Sequence, residues 1–166
     1  MVNHHAIVNI INQITEKGSV PCKKKLQKIV FLIEAKQIDL GCDYGIHFYG
    51  PYSADLDFAV RELSDEGVLK INYTPMEHLI SVTDASVGEA YNNATMDEVI
   101  DEFSKDSPNE LELVATTLYV YKQIEDVSKV KSGVIKIKGN KYSEKRIDAA
   151  IDRLIKTGYI SLSNQV

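Results

Sequence analysis

The sequence predicts a mostly helical α+β fold, with a helical core that carries a small β-hairpin and a second helical half behind it. Three observations predict this. Apolar residues recur at helical spacing in most segments, they alternate at period two only in short stretches, and glycines close the helical stripes. The 166 residues are 44% hydrophobic and 26% charged, which suits one substantial core or two small ones sharing a face. No apolar run approaches the roughly 20 residues that cross a bilayer, and the N-terminus lacks the basic start and cleavage site of a secretory signal. Cys22 and Cys42 have neither metal-ligand nor disulfide-framework spacing. A cytoplasmic protein with reduced thiols and no membrane association is expected.

Ile7, Ile10, Ile11 and Ile14 form the first stripe, and Gly18 suits a left-handed helix end. Pro21 is expected in the first turn of the next helix, which buries Leu26, Ile29, Val30 and Ile33. Lys23, Lys24, Lys25 and Lys28 crowd the start of that helix, where its dipole disfavours positive charge. A solvated face and a patch for phosphate or an acidic partner explain them about equally well. Between 38 and 52, Gly41, Gly45, Gly50 and Pro51 punctuate the chain. Ile46-His47-Phe48-Tyr49 has strand character and leads into a Gly-Pro turn, with Phe48 expected in the core.

Ser53 caps a third helix, Asp55 and Asp57 complement its positive end, Leu56, Ala59, Val60 and Leu63 are its stripe, and Gly67 ends it. Leu69, Ile71 and Tyr73 then alternate, as do His78, Ile80 and Val82 across a turn near Pro75, which reads as a hairpin. Three helices followed by a hairpin is the winged-helix order, so residues 1–92 are expected to form a winged-helix-like half.

A short helix near Asp84–Tyr91 and a polar boundary at 92–94 precede the second half, 93–166, which is expected to pack on the first as one unit. Thr95-Met96-Asp97-Glu98 has capping-box form, with Met96, Val99, Ile100 and Phe103 as the buried stripe. Ser107 and Glu110 repeat the device and start a longer helix to about Lys122. That helix is apolar on more than one side, which predicts a central position. For 126–140 both helix and strand fit, and helix is favoured. Ser143 caps the last helix, with Ile147, Ala150, Ile151 and Leu154 as its stripe. Gly158 ends it, and Ile160 and Leu162 predict a terminal strand.

An internal echo runs through these assignments. Leu56, Ala59, Val60, Leu63, Gly67, Leu69 and Ile71 match Ile147, Ala150, Ile151, Leu154, Gly158, Ile160 and Leu162 at a separation of 91 positions. Both a duplication and a generic helix–glycine–strand pattern produce this.

Charge separates the two halves. The chain carries a net −5, which argues against a generally DNA-coating surface. The third helix, where a winged helix would enter the major groove, sets Asp55, Asp57, Glu62, Asp65 and Glu66 against Arg61 alone, and a polyanion would be repelled. Residues 129–157 instead hold nine Lys and Arg against Glu144, Asp148 and Asp152, a net +6. The candidates for nucleic acid or an acidic partner are therefore Lys23, Lys24, Lys28, Lys145, Arg146 and Arg153.

No phosphate-cradling glycine loop, nucleophile elbow or HExxH is present. His4 and His5 are expected at a frayed terminus, and His47 and His78 in the core or at strand edges. Asp39, Asp43, Asp55 and Asp57 fit turn and capping roles better than a converged oxygen site. Catalytic residues, metals and cofactors are not expected.

KKLQKIVFLIEA at 24–35 followed by HFYGPYSADLDFAVRELSDEGVL at 47–69 resembles the YwgA family, within the broader Panacea group that includes SocA-like antitoxin and adaptor domains. SEKRIDAAIDRLIKTGYI at 143–160 resembles it more loosely. Leu26, Gln27, Lys28, Tyr49, Gly50, Pro51 and Tyr52 match the motif. Many Panacea domains carry a Trp before the Gly-Pro region, and its replacement by HFYGPYS places the chain nearer the YwgA branch. The resemblance implies a compact bacterial or phage protein without a catalytic site that works through protein contact. The expected function is a non-enzymatic interaction module, antitoxin- or adaptor-like, with Tyr49, Gly50, Pro51 and Tyr52 as its contact candidates. The alternative is a winged-helix DNA-binding regulator using the basic 129–157 surface.

Overall fold

In a computed structural model the described residues are 1–162, and they form eight helices and two small antiparallel hairpins. Helix α1 (His4–Glu16) begins at an Asn3 cap, and the Asn3 N–H donates to the Leu40 carbonyl, so the terminus is pinned rather than frayed. Helix α2 (Lys23–Glu34) starts two residues later than expected. The Cys22 thiol caps it, and Pro21 lies outside, where its carbonyl accepts from the Ile80 N–H.

Strands β1 (Gly45–His47) and β2 (Gly50–Tyr52) pair as a hairpin, with Ile46 opposite Pro51. The expected Gly-Pro turn is therefore a strand, and Phe48-Tyr49 is the turn. Pro51 is tolerated because in its pair with Ile46 the nitrogen faces away from β1, so its missing N–H removes no bond of the ladder. Helix α3 (Ala54–Asp65) follows its Ser53 cap, and β3 (Leu69–Tyr73) pairs with β4 (His78–Val82) in the expected hairpin. Three helices precede this hairpin, as the apolar pattern required.

Helix α4 (Ser86–Glu89) is a single turn on α1. Helix α5 (Ala94–Phe103) is capped by Asn93, whose carboxamide accepts from the Met96 N–H, rather than by the expected Thr95 box. The asparagine carboxamide reaches the first turn from two residues upstream, which places Thr95 inside the helix. Helix α6 (Pro108–Ile124) carries the expected capping box between Ser107 and Glu110. It contacts α2, β2, α7 (Val130–Lys138) and α8 (Glu144–Lys156), the central position its two-sided apolar surface predicted. Of residues 126–140, 127–138 are helical, a 3-10 turn running into α7. One buried cluster draws on both halves, from Ile7 and Leu32 to Leu118 and Leu154. No helix among the described residues is long and apolar enough to cross a membrane.

The echo has a local cause. Helices α3 and α8 both end with a left-handed glycine, Gly67 and Gly158, and with the next N–H donating back to Leu63 and Leu154, each at 2.9 Å. Helix α1 ends in the same way at Gly18, with Ser19 donating to Ile14. The same Schellman device thus closes three helices, whichever kind of residue follows the glycine. The strand it leads to forms only where a partner exists. Residues 69–73 meet β4, whereas among the described residues 159–162 form no strand. Ile160 is instead buried in the core, and the Tyr159 hydroxyl donates to the Leu32 carbonyl. Replacing Gly67 by Ala forces a side chain into left-handed backbone with open space around it. Urea unfolding should register a loss of about 1 kcal/mol.

Candidate functional site

The β1–β2 hairpin is held from below by two neighbouring α2 side chains. Gln27 is buried and makes two hydrogen bonds to Ser53, its amide donating to the carbonyl at 2.9 Å and its oxygen accepting from the N–H at 2.8 Å. The Lys28 ammonium, 2% exposed, donates to the Pro51 carbonyl at 2.7 Å. From the other side, Lys138 of α7 donates to the Phe48 carbonyl at 2.7 Å. Gly50 sits at φ +95° against α6, where a Cβ would lie 2.8 Å from Thr116 Oγ1. Backbone polar groups of a short ribbon must find partners when covered, and here the α2 and α7 side chains supply them.

Beneath the hairpin lies Glu112 of α6, fully buried in an otherwise apolar stretch. Its carboxylate meets Lys24 at 2.9 Å, Lys138 at 3.1 Å and Lys141 at 2.7 Å, and accepts from the Tyr142 hydroxyl at 2.7 Å. Burial alone would raise its pKa, but hydrogen bonds from Lys141, Tyr142, Lys24 and Lys138 outweigh it and hold the group down at about 2. The same burial pushes the Tyr142 hydroxyl well above its ordinary range, helped by its bond to Glu112. Lys28 moves the opposite way. Burial and repulsion from Lys24 lower its pKa to about 8, although Glu112 nearby favours the charged form.

Above this buried cluster the two turn residues stand in solvent. Phe48 is 81% exposed and Tyr49 53% exposed, with their rings packed edge to face at 4.8 Å. The expectation of a core Phe48 is thus overturned, because β1–β2 pairing places 48 and 49 at the ribbon's outer end. Lys24 and Lys141 lie over the Tyr49 ring, 4.6 and 5.8 Å from its centroid. Gly50 and Pro51 are buried, and Tyr52 is half-buried against His47, with ring centroids 4.8 Å apart.

The lysine cluster of α2 is not a solvated face. Lys23 pairs with Asp57 at 3.3 Å, Lys24 with Glu112, and Lys25 donates to Ser19 and to the Asp106 carbonyl. Lys28 is covered and unreachable by a phosphate. In the second half, Lys145 is exposed on the first turn of α8, and Arg146 stacks 5.1 Å from the Tyr142 ring. Arg153 is committed to Asp106 and Glu102 and lies on the Phe103 ring. Glu112 escaped the sequence reading, which counted Lys138 and Lys141 in the basic 129–157 stretch and not as partners of a buried carboxylate. The available signal was Glu112 itself, an acidic residue between Leu111 and Leu113 on a helix apolar on more than one side.

The remaining chemistry is sparse. Among the described residues no group of His, Cys, Asp and Glu is arranged to hold a metal, and Asp39 instead accepts from the Gly41 N–H. His5 is tied to the Val87 carbonyl, while His47 and His78 are exposed at strand edges. An open cleft of about 270 Å³ adjoins Cys42, Glu34 and Tyr44. Burial and the nearby Glu34 carboxyl push the Cys42 thiol up to about 12, and burial also raises Cys22, so neither is a thiolate at neutral pH.

The chain is 32% identical over 164 residues to a Bacillus subtilis (strain 168) protein described as "Uncharacterized protein YwgA", an alignment covering 91% of this chain and 94% of that relative. No family model matches the chain.

The cluster carries a pH signature on each side of neutrality. Glu112 is depressed in the fold, so its stabilisation is full above about pH 4.5 and is lost as pH falls toward 2. Lys28 is depressed from 10.5 to about 8, so the folded state resists its charge and stability rises as pH climbs from 8 toward 10.5. The whole Lys28 effect is on the order of 3 kcal/mol. Above about pH 9 the buried thiols oppose it, so the clean measurement is denaturant unfolding from pH 7.5 to 9. Wild type should gain stability over that range relative to Lys28→Met.

Proposed function

The chain belongs to the YwgA family, and from that premise we propose that it is a non-enzymatic protein-interaction module, antitoxin- or adaptor-like, of bacterial or phage origin. One observation carries the reading. Two large aromatic rings, Phe48 and Tyr49, stand exposed on a ribbon whose backbone is fixed by buried Gln27, Lys28 and Lys138. Rings on a rigid support lose little conformational freedom on docking, and aromatic anchors dominate interface energies. A solvent-facing Phe adds nothing to the core, and packed edge to face on Tyr49 at the tip of a fixed ribbon it offers a partner an apolar anchor.

We place the fold with the winged helices and the chain within the Panacea group as parts of the same proposal. The order α1, α2, α3 and the β3–β4 hairpin supports the first, and the Leu26-Gln27-Lys28 helix clamped onto the Gly50-Pro51 segment supports the second.

The DNA-binding alternative receives less support. The acidic face of α3 stands where a groove-reading helix would, and much of the 129–157 charge is internally matched. Lys129 pairs with Asp126, Lys131 with Asp148 and Arg153 with Asp106, and Glu112 offsets one charge among Lys24, Lys138 and Lys141. Charges already neutralised release few counterions from a duplex.

Phe48→Ala should leave stability within about 0.5 kcal/mol, because the ring is in solvent. The same change should weaken co-purification of a native-host partner at least tenfold. Unchanged capture by Phe48→Ala and Tyr49→Ala, together with salt-sensitive duplex binding, would transfer support to the regulator reading.

A further inference from the structure

We propose that the surface formed by Lys24, Tyr49 and Lys141 binds an acidic segment of the partner protein. A carboxylate of that segment lies between the two ammonium groups, and a neighbouring apolar residue packs on Phe48. The proposal rests on the interaction reading above and names the chemistry of its partner.

The first ground is a local charge imbalance. Three ammonium groups, from Lys24, Lys138 and Lys141, contact one carboxylate, Glu112, and the Lys28 ammonium lies near enough to feel its charge. Two of them are also committed to the ribbon backbone, Lys28 to Pro51 and Lys138 to Phe48. Lys24 and Lys141 are different. Their side chains are 24% and 38% exposed, against 5% for Lys138, so of the three that touch Glu112 they are the two that reach solvent. Each also lies over a face of Tyr49. A second carboxylate placed between them would restore the balance that Glu112 alone cannot. It would do so beside low-dielectric protein, where charge attraction is stronger than in open water.

The second ground is the size and setting of the patch. It is small, in a chain of net −5, and the α3 segment that follows the ribbon adds Asp55, Asp65 and Glu66 beyond the Asp57 that Lys23 and Arg61 pair. A nucleic acid backbone repeats its charge at every step, so its extension toward α3 meets repulsion. A short peptide presenting one or two carboxylates beside an apolar residue avoids it. The exposed Phe48 ring at the ribbon tip supplies the apolar contact that a simple anion would leave unused.

The test uses the intact chain and two synthetic peptides, Glu-Glu-Leu-Glu-Glu and its Gln-Gln-Leu-Gln-Gln counterpart, followed by two-dimensional NMR at low salt. The acidic peptide should shift the resonances of Lys24, Phe48, Tyr49 and Lys141, weaken as salt rises, and bind at least tenfold more tightly than the neutral one. Lys141→Gln should lose most of that preference while Glu112 keeps Lys24, Lys138 and Tyr142. Equal binding of both peptides would overturn the proposal, as would shifts spread over Lys136, Lys145 and Lys156. It would also fall if a short DNA duplex displaced the peptide and shifted the same residues. Failure of the parent reading looks different. If Phe48→Ala loses the native partner while the acidic peptide never binds, the interaction surface stands and only its acidic partner falls. If neither occurs, both fall.

Discussion

The Gln27–Lys28 clamp on the backbone of residues 51–53 is the contact from which the site follows. It joins α2 to the β1–β2 ribbon and fixes Ser53 as the cap of α3. It also presses Gly50 onto α6 so closely that Thr116 Oγ1 occupies the space of a Cβ. Two consecutive α2 residues thereby set the start of the next helix, the seat of the central helix and the outward direction of Phe48 and Tyr49. The family likeness in Leu26-Gln27-Lys28 and Tyr49-Gly50-Pro51-Tyr52 thus has a physical content, because the two halves of the motif are hydrogen-bonded to each other.

Such a clamp is costly in its own right. A buried ammonium on a carbonyl pays heavily for lost hydration, and a buried carboxylate does so as well. Their joint presence under the ribbon offsets part of each penalty and leaves the remainder as an excess of positive charge. Replacing such a network by apolar residues often costs nothing in stability, so its retention points to a role in specifying the ribbon's position. It makes one arrangement of β1–β2 compatible with satisfied polar groups and many others incompatible.

Much of the fold was legible because it is written in periodic, local terms. The stripes of α1, α2, α3, α5 and α8, the β3–β4 alternation and the Ser53, Ser107 and Ser143 caps depend on residues within a few positions of one another. Misreadings arose where a local signal had two outcomes. Thr95 and Asn93 both suit a helix start, and the asparagine won. Gly50-Pro51 looks like a turn, yet pairing with Gly45–His47 made it a strand and moved the turn to Phe48-Tyr49. Ile160 and Leu162 alternate like a strand, but among the described residues they form none.

The candidate site was legible by composition and not by arrangement. Residue order fixed the helices and hairpin, the acidic face of α3 and the Lys and aromatic content of 23–52, since each is a property of neighbours along the chain. Folding chose which lysines face solvent. Lys28 and Lys24 are four positions apart on one helix, yet one is sealed and the other reaches water, because α6 brings Glu112 and α7 brings Lys138 from far along the chain. Burial and charge pairing are relations between distant segments, and no window of sequence contains both partners.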